Sequence, residues 1–195
     1  MRLLDRSDDA WDGSAMGILD RGRAALVLID LQARLLPAIA GRERVLERAL
    51  RLVEAARLLA VPVLATEHCP DRIGATVPVL AEKLEAHEVH AKRAFSAAGL
   101  ACFARLVEAG RDQLVLAGTE AHVCVLQTAL GLHAAGARVA VVADAVGSRA
   151  AVDLELGLAR LARAGVEIVS SEMVLFEWLG DADHPAFKPV HRLLR

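Results

Sequence analysis

The 195-residue sequence predicts an α/β fold built on a six-stranded, mostly parallel sheet, and three observations predict it. Short apolar runs rich in Val, Leu and Ile alternate with longer segments of helical apolar spacing, which is the pattern of β-α units. Most of the runs are continuous rather than alternating, as strands buried on both faces require. Gly110, Gly136 and Gly165 each follow a helical segment, at the position where a left-handed residue ends a helix.

Residues 1–23 are polar and aperiodic and read as an irregular arm; residues 24–195 read as one domain. The first strand covers 24–29 (AALVLI) and is followed by a helix over 42–59. Strands at 62–66 and 88–90 come next, then a helix over 100–108 and a strand at 113–117. A helix over 122–135, a strand at 138–143, a helix over 150–164 and a strand at 167–169 complete the alternation. A short helix is expected from Ser171, and the Pro-interrupted tail HPAFKPVHRLLR reads as a docked terminal segment.

Composition narrows the function. With 23 basic against 25 acidic residues and a net charge of -2, the chain has no basic excess for nucleic acid or anionic lipid. Aromatic residues make up 3% and Tyr is absent, so base-stacking platforms are scarce. The three cysteines stand at no regular spacing and describe neither a disulfide framework nor a zinc site. Acidic residues break up the N-terminal stretch before it forms a signal-peptide core, and no apolar run is long enough for a membrane span. A cytoplasmic protein is expected, and no residue pattern calls for a cofactor.

In an open parallel sheet, ligands bind beyond the carboxyl ends of the strands. That rule selects Asp30 after the first strand, Lys92 after the third, and the segment AGTEAHVC ending at Cys124 after the fourth. A carboxylate, an ammonium and a thiol would converge on one rim. Each also has a plain reading: Asp30 as a turn or cap residue, Lys92 as a solvated lysine no different from Arg93, and Cys124 as a small core residue. At a helix start, backbone N–H groups and the helix dipole would lower the Cys124 thiol pKa.

The segments ALVLIDLQ, TEHCPDRIGATVP, HAKRAFSA and LVLAGTEAHVCVLQTALGLHAAGARVAVVADAVGSR, in that order, resemble the isochorismatase-like cysteine hydrolase superfamily. The resemblance implies a three-layer α/β/α fold, a homo-oligomer, and a triad of Asp30, Lys92 and Cys124. It also implies a non-proline cis peptide between Thr119 and Glu120, with the Glu120 and Cys124 N–H groups forming an oxyanion hole. Leu31, Gln32, His68, Phe95 and His122 are then expected pocket residues. Arg149 would hold an anion or pair with Asp144. The motif of Thr66, Glu67, Pro70, Gly74, Thr76, Val77 and Pro78 marks a branch of hydrolases without an assigned substrate. His68 stands without the Asp-x-His pattern of nicotinamidase-type members, so no metal is expected. The presence of Cys124 points to C–N bond cleavage in a small amide or carbamoyl compound. A catalytically vestigial scaffold, a non-amide hydrolase of the isochorismatase type, and a redox-sensing thiol are the alternatives.

Overall fold

The computed structural model describes residues 17–194. The first part of the expected arm, residues 1–16, lies outside the described residues. Six strands form the sheet: β1 (Ala24–Ile29), β2 (Val63–His68), β3 (Val89–Lys92), β4 (Gln113–Thr119), β5 (Arg138–Gly147) and β6 (Glu167–Val169). The helices are α1 (Arg42–Leu58), α2 (Pro70–Ile73), α3 (Pro78–Ala81), α4 (Ala101–Glu108), α5 (Leu126–Ala134), α6 (Ala151–Arg163), α7 (Ser171–Leu179) and α8 (Phe187–Arg192).

The strand order is β3-β2-β1-β4-β5-β6 and every pairing is parallel, so the expected "mostly" parallel sheet is wholly so among the described residues. Successive strands run outward from β1 on one side and from β4 on the other. The order therefore reverses between β1 and β4, and the crevice beyond their carboxyl ends is the topological switch point where such folds bind ligands.

The core lies in two layers because strand side chains alternate between faces. Leu26 and Leu28 of β1 join α1, α7 and α8 on one face, through Val45, Leu52, Leu175, Trp178 and Val190. Ala25, Val27 and Ile29 join α4, α5 and α6 on the other, through Phe103, Leu126, Leu132 and Leu161. The layers are thus helix, sheet, helix. Where the arm enters the domain, Leu19 is buried, its N–H bonds Glu177 Oε2 at 2.7 Å, and the Arg138 guanidinium donates to the Gly17 and Ile18 carbonyls.

Four strands run past their expected ends: β3 reaches Lys92 and β4 reaches Thr119, each two residues on, and β5 and β2 also lengthen. β5 runs to Gly147, four residues past its expected end, because Asp144 within it is satisfied: its carboxylate accepts from the Ser171 N–H at 2.7 Å and hydroxyl at 2.5 Å. β2 extends through Glu67 and His68, and Glu67 Oε1 accepts both the N–H (2.7 Å) and hydroxyl (2.8 Å) of Thr76. No helix among the described residues is long and apolar enough to cross a membrane.

Candidate active site

β1 ends at Ile29, and Asp30 turns the chain away from the sheet with a left-handed φ of 50°. Asp is one of the few non-glycine residues that visit this region readily. Its carboxylate is fully buried, and an unpartnered charge there would be strongly disfavoured. Both oxygens are satisfied: Oδ1 accepts the Thr66 hydroxyl at 2.7 Å and Oδ2 the Lys92 ammonium at 2.6 Å. Lys92 also donates to the Phe95 carbonyl at 3.0 Å and the Ala94 carbonyl at 3.4 Å. These carbonyls hold the ammonium in place. Arg93, alike in charge, is exposed and reaches Asp71 at 3.4 Å.

The opposite wall of the crevice comes from β4. Gly118 has a φ of 124°, and a Cβ there would collide with the Ile29 backbone, so only glycine permits β1 and β4 to approach so closely beside the site. Thr119 follows, donating its hydroxyl to the Asp30 carbonyl at 2.7 Å, and the Thr119–Glu120 peptide bond is cis. The chain then enters a π-helical turn, Ala121–Val125, before α5 begins at Leu126. A single helix over 122–135 was expected; the wider first turn corrects it, and such turns occur often at functional sites.

Cys124 lies in that turn, buried at 5% exposure, with its thiol coupled to Asp30 and Lys92 by charge and hydrogen bonding. Burial, the largest cause, and the Asp30 carboxylate push the thiol up to about 12, while the Lys92 ammonium pulls the other way. The expected lowering by a helix start is therefore overturned. Burial outweighs the pull of the Lys92 ammonium, and the resting sulfur carries its proton.

Pocket candidates divide by role. Leu31 is 2% exposed within the core on the α1 face, and Gln32 is fully buried. The Gln32 amide donates to the His68 and Gly74 carbonyls and accepts the His68 N–H at 2.7 Å. Its hydrogen bonds clamp the loop after β2. His68 packs its ring on Phe95, with centroids 5.3 Å apart at 30°, and Phe95 is 53% exposed. His122 shares a 2.9 Å hydrogen bond with Ser148 and lies 3.5 Å from Glu120 and 3.8 Å from Asp153. Arg149 pairs with Glu120 at 3.0 Å, whereas Asp144 caps α7 and neighbours Arg48 at 3.5 Å. Of the two roles open to Arg149, the pairing with Asp144 is not made; Arg149 pairs with Glu120 instead.

Thr66 was not among the expected catalytic or pocket residues, although it bonds the central carboxylate; its register opposite Ile29 places it at the same rim as Asp30. Glu67, Gly74 and Thr76 belong to loop closure, and Pro70 and Pro78 start α2 and α3 at a position where the missing N–H needs no partner. Cys69 is a half-buried residue with a φ of 40°, and Cys102 is buried in α4, where burial pushes its thiol pKa up. Among the described residues, no group of three His, Cys, Asp or Glu side chains is placed to hold a metal ion.

The isochorismatase domain family model matches residues 24–173. Isochorismatase domain-containing protein 1 of Danio rerio is 36% identical over 94% of this chain, and the chain spans 65% of that protein's length. Among solved structures, the MAR1 ribonuclease of Caenorhabditis elegans is 34% identical, with a TM-score of 0.86 and coverage of 91% of this chain and 92% of that one. YcaC of Pseudomonas aeruginosa, described with covalent acrylamide, is 28% identical, with a TM-score of 0.81 and coverage of 89% of each chain. The ycaC product of Escherichia coli, described as an octameric hydrolase of unknown specificity, is 25% identical, with a TM-score of 0.79 and coverage of 91% and 94%.

Proposed function

The chain belongs to the isochorismatase family of hydrolases, and from that premise we propose that it cleaves a C–N bond of a small amide or carbamoyl compound through a thioester on Cys124. The observation that carries the reading is the juxtaposition of a buried protonated thiol with a carboxylate whose oxygens are each held by one donor. An ionised carboxylate oxygen accepts more than one hydrogen bond, so Asp30 retains capacity for the thiol proton.

Asp30 takes that proton as the sulfur attacks the carbonyl carbon, and the Lys92 ammonium stabilises the developing thiolate. The resulting oxyanion is stabilised by the Glu120 and Cys124 N–H groups, a kind of contact worth roughly 3 to 4 kcal/mol per donor where it has been removed. Collapse breaks the C–N bond, and Asp30 returns the proton to the leaving nitrogen. Water then adds to the thioester with Asp30 as base, releasing the acid and restoring the thiol.

A neighbour described with covalent acrylamide supports a nucleophile in this fold. The octameric relative supports a homo-oligomeric state for this chain too. The ribonuclease name of another neighbour finds no basic or aromatic surplus here, since the net charge is -2 and aromatics are 3%.

The test is intact-protein mass spectrometry during rapid mixing with a panel of small amides and with single-stranded RNA. An acyl adduct on wild type that is absent in Cys124→Ala, together with release of amine or ammonia, is expected. Release by Cys124→Ala at the wild-type rate would show a non-covalent hydrolase, and cleavage of RNA alone would overturn the amide assignment.

A further inference from the structure

Toward the amino-terminal end of the sheet, away from the crevice, the edge of β2 is left partly uncovered. β3 begins pairing at Val89, opposite Ala65, so β2 starts two residues before it has a partner on that side. The uncovered start of β2, a 3-10 turn at Ala86–Glu88 and α4 border an open cavity of about 420 Å³, a size suited to a small ligand. Its floor is apolar, from Val63, Leu64 and Leu106, while His87, His90 and Arg105 line it from the turn, from β3 and from α4.

The cavity carries one sign of charge. Among the described residues Arg105 makes no ion pair, and neither histidine ring makes a hydrogen bond. Glu88 is the one carboxylate on the lining and is already engaged: Arg57 donates to its two oxygens at 2.7 and 2.5 Å, and the Glu85 N–H to one of them at 2.9 Å. The basic groups also act on one another. Burial, then the charges of Arg105 and His87, make His90 release its proton more readily than an ordinary histidine. Cys102, on the same wall, is kept protonated by burial and adds no charge. A cleft with cationic walls and an apolar floor favours an anion that has an apolar body. Arginine beside imidazole suits phosphate, whose oxygens accept several charge-assisted hydrogen bonds at once.

We propose that this cavity is a second ligand site, separate from Cys124, that binds a small organic monophosphate, with the phosphate on Arg105, His90 and His87 and the organic part on Val63, Leu64 and Leu106. His90 stands two residues before Lys92, so the ligand rests on the strand that carries the ammonium paired with Asp30. Binding is linked to a proton. The anion favours the charged imidazole that Arg105 and His87 disfavour, and Glu88 and Cys102 are the other ionisable groups on the lining. Affinity therefore rises as pH falls.

Titration calorimetry on the whole chain tests this with phenyl phosphate, inorganic phosphate and benzenesulfonate. Wild type is compared with Arg105→Glu, which reverses an exposed charge at the cavity, and with Arg163→Glu, which makes the same change on an exposed residue of α6 outside it. Phenyl phosphate is expected to bind wild type about tenfold more tightly than inorganic phosphate does. Arg105→Glu should weaken that binding about tenfold or more, and Arg163→Glu should leave it within about twofold. Benzenesulfonate keeps the same charge at about pH 6 and about pH 8, so its severalfold tighter binding at the lower pH reports the protein's own protons; His90→Asn should flatten that rise. Equal affinity in wild type and Arg105→Glu, or equal weakening by both arginine variants, would overturn the site. Phenyl phosphate that binds no more tightly than inorganic phosphate would overturn the apolar seat and with it the organic ligand.

Discussion

On the β1-β2-β3 side of the crevice, Asp30, Thr66 and Lys92 are 0%, 1% and 6% exposed, and their contacts measure 2.6 and 2.7 Å. On the β4-β5 side, Glu120, His122, Arg149 and Asp153 meet at 3.0 to 3.8 Å, and the Arg149 and Asp153 side chains are 62% and 43% exposed. Both sides hold carboxylates opposite cations, yet their physics differ. In the dry cluster water cannot replace a lost partner, so each group depends on the others. In the wet cluster the Arg149 and Asp153 ends stand in solvent, which screens their charges and compensates for most losses, although Glu120 itself is only 10% exposed. The chemistry we propose uses the dry side for proton transfer and leaves the wet side to shape the approach.

Breaking the dry pair is therefore the largest expected effect. Lys92→Met keeps much of the side-chain volume but leaves the Asp30 carboxylate buried and unpaired, which should reduce stability by about 3 to 5 kcal/mol in urea unfolding. Turnover is lost as well. Adding Asp30→Asn to Lys92→Met should recover most of the stability and none of the activity. A double substitution no more stable than Lys92→Met alone would mean that Lys92 contributes by packing rather than by charge.

Asp30→Asn alone tests the electrostatics of the thiol, and its effects on reactivity and catalysis should have opposite signs. The Asp30 charge and hydrogen bond both raise the Cys124 pKa, so removing them lowers it, with Lys92 still favouring the thiolate. Alkylation of Cys124 at pH 8 to 9 should accelerate while amide hydrolysis disappears, since the base is gone. The linkage has a definite direction. A thiol near 12 when folded and about 8.5 when unfolded keeps its proton longer in the native state. Its contribution to stability is present below about pH 8.5 and is lost as pH rises toward 12, at no more than roughly 1.4 kcal/mol per pH unit. In Asp30→Asn that alkaline loss should be shallower. An unchanged alkylation profile would show that burial alone sets the thiol.

The dry side is the more legible in the sequence, and the reason is topological. Strand ends can be read from continuous apolar runs, and strand ends in a parallel sheet are where ligands bind, so the amino-acid order by itself singles out Asp30, Lys92 and the approach to Cys124. What distinguishes Lys92 from Arg93 is that Lys92 closes β3 with its side chain buried on Asp30 while Arg93 lies just past the strand in solvent, and a four-residue strand has too weak an alternation to show it. Thr66 is legible only through its register with Ile29. The thiol pKa departs from expectation because it depends on depth, and a helix-start pattern carries no information about depth. Helix ends show the same limit: Gly110, Gly136 and Gly165 all take positive φ as expected, but Ala60 does so too at 55° after α1, where no glycine announces it. There the Val61 N–H bonds the Ala56 carbonyl at 2.8 Å, the usual helix-closing bond made with an alanine in place of glycine. On the wet side Glu120, His122 and Arg149 could be singled out but not their pairing with one another or with Ser148 and Asp153, which depends on how α6 and the end of β5 pack on the π-helical turn.

Arg149→Ala is the smallest effect and the sharpest test of the contrast. The guanidinium reaches both Glu120 oxygens, at 3.0 and 3.2 Å, but most of its side chain lies in solvent. Its removal should change stability by less than about 1 kcal/mol, and that difference should shrink as salt is raised. Glu120 does not become a buried orphan, because His122 remains 3.5 Å away and water can enter where the arginine stood. If Arg149→Ala instead destabilised the protein as severely as Lys92→Met, with no salt dependence, the two clusters would be one coupled network spanning the crevice. The division between a dry chemical side and a wet approach side would then have to be given up.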